Sequence, residues 1–148
     1  MADWSTAICE TNGINLHYPR TGGNKPPLVL LHGLMTNGLC WTGLARALER
    51  EYDVIMPDAR GHGKSSVPDY GYRYEDHAND VVGLIKTLGL PAPILMGHSM
   101  GGMTAAVVAS HNPKLLSGLI LADPTFISPK VQSEVRDSDV ADQSIGEF

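Results

Sequence analysis

Four short apolar runs alternate with segments of helical period, and this alternation constrains the fold more than any other feature of the sequence. The runs are PLVLLH at 27–32, YDVIMP at 52–57, PILMG at 93–97 and LSGLILA at 116–122. Their length and continuity suit strands buried on both faces of a parallel sheet. Between the first two, residues 36–50 place Trp41, Leu44, Ala45 and Leu48 on one helical face, with Thr36 or Asn37 as the cap. Residues 74–88 do the same with Ala78, Val81, Val82, Ile85 and Leu88; Gly89 supplies the stop and Pro91 prevents continuation. A third helix is predicted over 100–111, ended by Asn112-Pro113. Strands alternating with helices predict βαβ units: an α/β fold of three layers, α/β/α, around a mostly parallel sheet. Residues 7–18, with Asn12-Gly13 at their centre, predict a β-hairpin that adds antiparallel edge strands and brings the sheet to about six strands.

The stretch ILMGHSMGGM at 94–103 carries the strongest chemical signal. Gly97-His98-Ser99-Met100-Gly101 matches G-x-S-x-G where a strand gives way to a helix, the sequence of a nucleophile elbow. A serine there sits on a strained turn with φ > 0, and small neighbours such as Gly97 and Gly101 let strand and helix approach. The helix start brings the Met100 N–H and the positive end of its dipole to the reacting centre. The competing reading is a plain N-cap serine. Gly33 in His32-Gly33-Leu34 ends the first parallel strand and can turn the Leu34 N–H toward the elbow. Leu34 and Met100 would then form an oxyanion hole; losing one such donor typically costs roughly 2.7–4 kcal/mol of barrier. An ordinary glycine turn is the alternative.

DARGHGKSS at 58–66 has neither the P-loop nor the dinucleotide-binding spacing, so it reads as structural, with Arg60 anchored by a nearby carboxylate. LLHGL, DARGHGKSS and GHSMGG, in this order and at these separations, resemble the α/β-hydrolase superfamily over residues 7 to about 126. The resemblance implies Ser99 as nucleophile, Leu34 and Met100 as oxyanion donors, and hydrolysis of a small-molecule ester or related acyl substrate through an acyl-enzyme, with no cofactor and no metal. Serine rather than aspartate at the elbow sets the chain apart from the dehalogenase and epoxide hydrolase branches.

In that superfamily the acid and then the histidine follow the serine. The acid usually comes after the seventh strand and the base after the eighth. With six strands expected here, the resemblance implies that the C-terminal part of the fold is absent, that residues 1–126 form the N-terminal portion of the core, and that the polar residues 127–148 begin a cap segment. A complete short protein, kept for binding rather than catalysis, is the other class of explanation. None of His17, His32, His62, His77, His98 and His111 stands out as a base. His32 reads as an anchor of its own loop, and His17, His77 and His111 as surface residues. Asp123, at the end of the last strand, is a candidate acid, weighed against a local backbone-capping role. Without a base, this chain is expected to turn over poorly.

At 148 residues the chain fits one domain, and its net charge of −5, with no Lys/Arg block, argues against nucleic acid or an anionic membrane as partner. No run is long enough to span a bilayer and the N-terminus lacks the pattern of a secretory signal, so the expected location is cytoplasmic. Cys9 and Cys40 read as reduced thiols, a disulfide being the lesser alternative. An exposed last strand is expected to promote self-association.

Overall fold

The computed structural model describes residues 4–125. Six strands form one sheet: β1 (Ser5–Thr11), β2 (Ile14–Arg20), β3 (Pro27–Leu31), β4 (Asp53–Ile55), β5 (Ile94–Ser99) and β6 (Gly118–Pro124), in the spatial order β1-β2-β4-β3-β5-β6. β1 and β2 form the expected hairpin, with Asn12 at φ 49° and Gly13 at φ 75°, the left-handed pair that a two-residue turn of this hand requires. β2 meets β4 antiparallel, whereas β4, β3, β5 and β6 run parallel. Three helices cover the sheet: α1 (Thr42–Leu48), α2 (Tyr74–Thr87) and α3 (Met100–His111).

All five residues of β3 are buried, which explains its unbroken apolar run. Alternate side chains enter different layers: Val29 and Leu31 pack with Val81, Leu84 and Ile85 of α2 and Ala105 and Val108 of α3, while Leu28 and Leu30 pack with Ala45 of α1. The three-layer expectation follows from this two-sided burial. α2 ends as predicted: Gly89 at φ 60° donates to the Lys86 carbonyl while Leu90 donates to that of Ile85, a Schellman closure.

Several boundaries differ from the sequence expectation, each for a local reason. The helix over 36–50 opens as a 3₁₀ turn, Gly38–Trp41, capped by Asn37 on the Leu39 N–H. The Gly38 N–H is held by Asp58 at 2.8 Å, which ties this turn to a neighbouring loop. β4 is three residues long because Met56 and Asp58 turn their N–H groups to Pro19 and His17 of β2. β6 begins at Gly118, since Ser117 still belongs to the connection and donates to the Pro93 carbonyl. The expected boundary at 126 and the polar tail over 127–148 lie outside the described residues. Among the described residues β6 ends the sheet, with Leu119 and Ile120 exposed. Cys9 and Cys40 are both free thiols, and among the described residues no helix is long and apolar enough to cross a membrane.

Candidate active site

The carboxyl ends of β3, β5 and β6 converge on Ser99. Ser99 is held at φ 51°, ψ −116°, between β5 and the first residue of α3. Such a conformation costs a non-glycine residue about 1–3 kcal/mol and persists only where its surroundings enforce it. Two further non-glycine residues with positive φ stand at the same sheet end, Met35 at 65° and Asp123 at 48°. Close packing does the enforcing. A Cβ on Gly101 would lie 2.6 Å from the His32 carbonyl oxygen, and one on Gly97 would lie 2.7 Å from the Gly102 nitrogen, so α3 rests directly on the ends of β3 and β5.

The loop after β3 lies against the elbow. A Cβ on Gly33 would be 3.4 Å from Ser99 Cβ and 3.1 Å from His98 Nδ1. Leu34 follows, with its side chain 62% exposed. Two histidines fix this loop. His32 Nε2 accepts the Ala59 N–H at 2.9 Å, so its Nδ1 carries the proton and donates to the Gly33 carbonyl at 2.7 Å. Burial pushes its pKa down, which keeps the ring neutral. His62 stands edge-on to it with centroids 5.2 Å apart. His62 Nδ1 donates to the Arg60 carbonyl at 2.9 Å, and Nε2 receives the Met35 N–H at 3.4 Å. Both ring nitrogens of His62 thus serve the loops.

The loop DARGHGKSS is built around two carboxylates. Asp58 accepts from Gly38 and Lys64 N–H at 2.8 and 2.9 Å and bonds His17 Nδ1 at 2.9 Å. Burial opposes its charge, but these three partners hold its carboxyl below the usual range. Arg60 makes the expected anchor, bidentate on Asp80 at 2.7 Å for each bond, with a further bond to the Gly71 carbonyl.

The structure separates the remaining candidates. His98 and His111 are exposed. His77 is buried, not on the surface as its helical position suggested, and His17 is committed to Asp58. Position 77 shares a helical face with Val81 and Leu84, a signal that favours burial. Among the described residues no histidine hydrogen-bonds Ser99. Asp123 is exposed, because the β5–β6 register shifts between His98 and Ser99: His98 pairs with Ala122 and Ser99 with Pro124, leaving Asp123 unpaired between them. That bulge advances Thr125 to the elbow. Thr125 donates its N–H to the Ser99 carbonyl at 3.3 Å, and its Oγ1 lies 3.1 Å from Ser99 Oγ. Burial pushes the phenol pKa of Tyr74, the first residue of α2, up, and the Thr125 hydroxyl partly offsets this. Neither residue was singled out from sequence, although Thr125 follows a strand end and Tyr74 opens a helix beside the site.

The space under the elbow, lined by His32, Asp58, His77, Asp80, Met100 and Thr104 among others, is about 20 Å³, room for a single water rather than a substrate. It gives the fold an acid sensitivity. Burial lowers His77 to about 4 and lowers His32 as well, against the ordinary 6.5. Between those values the unfolded chain binds more protons than the folded one, so stability is full above about pH 6.5 and is lost as pH falls toward 4. At 1.36 kcal/mol per pKa unit, His77 alone contributes on the order of 3 kcal/mol to this loss. Urea melts at pH 7.5 and about pH 4.5 will show it. His77→Leu should flatten the dependence; an unaltered slope would exclude His77 as its source.

A mostly parallel sheet covered on both faces, with a strained serine between β5 and α3, has the strand–turn–helix form of the nucleophile-elbow class of α/β proteins. The model of the alpha/beta hydrolase fold matches residues 26–144, and the chain belongs to that family. It is 34% identical over 119 residues to 2-(acetamidomethylene)succinate hydrolase of Mesorhizobium japonicum, covering 80% of this chain and 42% of that protein. It is 38% identical over 112 residues to the soluble epoxide hydrolase of a Corynebacterium species, covering 76% and 39%. The solved structure of N-formylmaleamic acid deformylase from Pseudomonas putida S16 superposes with a TM-score of 0.76 at 31% identity, covering 81% of this chain and 47% of that one. The chain therefore spans less than half the length of these hydrolase relatives.

Proposed function

We propose that this chain carries the nucleophile and oxyanion portion of a serine hydrolase acting on a small ester or related acyl substrate. The observation that carries the reading is Ser99 itself: a serine at φ 51°, pressed between β3 and the start of α3. In this mechanism Ser99 Oγ attacks the carbonyl carbon and its proton passes to a base. The N–H groups of Leu34 and Met100 hold the oxygen that becomes negative, and water then cleaves the acyl-enzyme. Leu34 lies on the loop fixed by His32 and His62, and Met100 opens α3, whose N-terminal N–H groups have no partner within the helix.

The relatives' names support an acyl substrate: one names an acetamido group and another a deformylase. The similarity to an epoxide hydrolase means that overall likeness does not select the reaction; the side chain at position 99 does, and serine is suited to acyl transfer. The reading assigns Ser99 and its oxyanion donors and assigns no base among the described residues.

Incubation with a p-nitrophenyl phosphonate, followed by intact mass and peptide mapping, tests the proposal. One adduct per chain, on Ser99 and absent from Ser99→Ala, is the expected result. No adduct at Ser99 would refute it and favour a binding protein built on the same fold.

A further inference from the structure

Leu34 and Met35 form a turn beyond β3 with side chains 62% and 59% exposed, so side-chain packing does not hold their backbone. Met35 nonetheless stands at φ 65°, a left-handed conformation that glycine or asparagine usually takes and that other residues keep only where their surroundings enforce it. Two imidazoles supply the enforcement, each reaching into the opposite loop. His32, following β3, accepts the Ala59 N–H at Nε2 at 2.9 Å, and His62, in the loop after β4, accepts the Met35 N–H at Nε2 at 3.4 Å. The direction of every bond is fixed by its backbone partner, because an N–H only donates and a carbonyl only accepts. Both rings are therefore neutral with the proton on Nδ1, where His32 donates to the Gly33 carbonyl at 2.7 Å and His62 to the Arg60 carbonyl at 2.9 Å. A peptide unit is planar and trans, so its carbonyl and its N–H point in opposite directions. The Gly33 carbonyl and the Leu34 N–H share one such plane, and His32 sets its direction. The Met35 N–H belongs to the next plane, and His62 holds that one. The two planes meet at the Leu34 Cα.

We infer that His62 is a positioning residue for the oxyanion hole: by holding the Met35 N–H, opposite His32 on the Gly33 carbonyl, it keeps the Leu34 N–H aimed at the oxygen that becomes negative when Ser99 attacks. The inference rests on the reading of Ser99 as nucleophile and Leu34 as donor, and adds the residue that acts through Leu34. A donor is worth most when it is in place before the charge forms, since nothing then has to reorganise during the reaction. The turn cannot provide this through its exposed side chains, so the two rings do it through the backbone. The hold exists only while His62 is neutral, because a second proton would set a donor against the Met35 N–H.

The test is the second-order rate of labelling by a p-nitrophenyl phosphonate, in which the Ser99 Oγ–P bond forms, p-nitrophenolate departs and the serine proton passes to solvent or buffer. Rates are taken per folded chain, from thermal melts of each variant. His62→Gln puts a carboxamide oxygen where Nε2 stood and keeps an acceptor for the Met35 N–H. His62→Asn puts its carboxamide where Nδ1 stood, so it keeps the Arg60 carbonyl bond but does not reach Met35. Loss of an oxyanion donor costs about 10²–10³-fold, and a donor present but no longer held should cost about tenfold. His62→Asn should therefore label about tenfold more slowly than wild type, and His62→Gln within a few-fold of it. His62→Phe keeps a ring beside His32 and loses both bonds; it should be as slow as His62→Asn and carries the test if that variant does not fold. A residue that merely braced its own loop through Arg60 would give the opposite order, with His62→Asn the faster. That order would overturn the inference while leaving Ser99 as the nucleophile. So would wild-type labelling of His62→Asn or His62→Phe, or a His62→Gln variant as slow as either. Failure of the wild type to label would overturn the reading of Ser99, and this inference with it.

Discussion

Asp80→Ala will lower the stability of the fold by about 3–5 kcal/mol, a drop in melting temperature on the order of 10 °C for a chain of this size. Asp80 is buried and accepts both Arg60 bonds at 2.7 Å, and Asn12 adds a third at 2.8 Å. The Arg60 and Asp80 side chains are only 6% and 3% exposed, so water cannot replace the lost partner. Most of the loss comes from leaving a guanidinium buried without its counter-charge, not from the net value of the pair. The double variant Arg60→Met/Asp80→Leu should therefore recover much of it. Chemical denaturation of the three proteins measures this. A loss below about 1 kcal/mol in Asp80→Ala, the size of an exposed pair, would show that Arg60 finds solvent on its own.

That ion pair also shows how much of the molecule was legible beforehand. The Arg60 anchor could be foreseen because a charged side chain in a glycine-rich turn needs a carboxylate, and the two-sided burial of β3 followed from its unbroken apolar run. The elbow was legible because few backbones require G-x-S-x-G between a strand and a helix. What stayed hidden depends on how elements dock. The unpaired Asp123 arises from a register shift between two strands, and no local feature of LADPT announces that Thr125, not Asp123, will face the serine. His77 was misplaced because a single polar residue reads as exposed, although its spacing to Val81 and Leu84 puts it on the buried face. The shortening of α1 has the same origin: Asp58, twenty residues on, claims the Gly38 N–H and holds the first turn in 3₁₀ form.

Gly97→Ala should cost the elbow its geometry before it costs the protein its fold. The added methyl meets backbone, not a flexible side chain: the Gly101 carbonyl and, at 2.7 Å, the Gly102 nitrogen. Neither can swing aside, so α3 must lift from the end of β5. Overpacking of this kind typically costs 1–3 kcal/mol, which a well-packed domain survives. Reactivity is less tolerant. Lifting α3 moves the Met100 N–H away from the oxygen it would hold and releases the packing that keeps Ser99 at φ 51°. Displacement of reacting groups by about 1 Å can cost 10²-fold in rate. The expected result is a variant that still melts cooperatively, a few degrees below wild type, yet is labelled at Ser99 by a p-nitrophenyl phosphonate about 100-fold more slowly. Labelling reduced only in proportion to a lost folded fraction would mean that Ser99 reactivity does not depend on the fit of α3 against β5. Near-normal labelling with normal stability would mean that the helix has room to move, contrary to the contacts at Gly97 and Gly101.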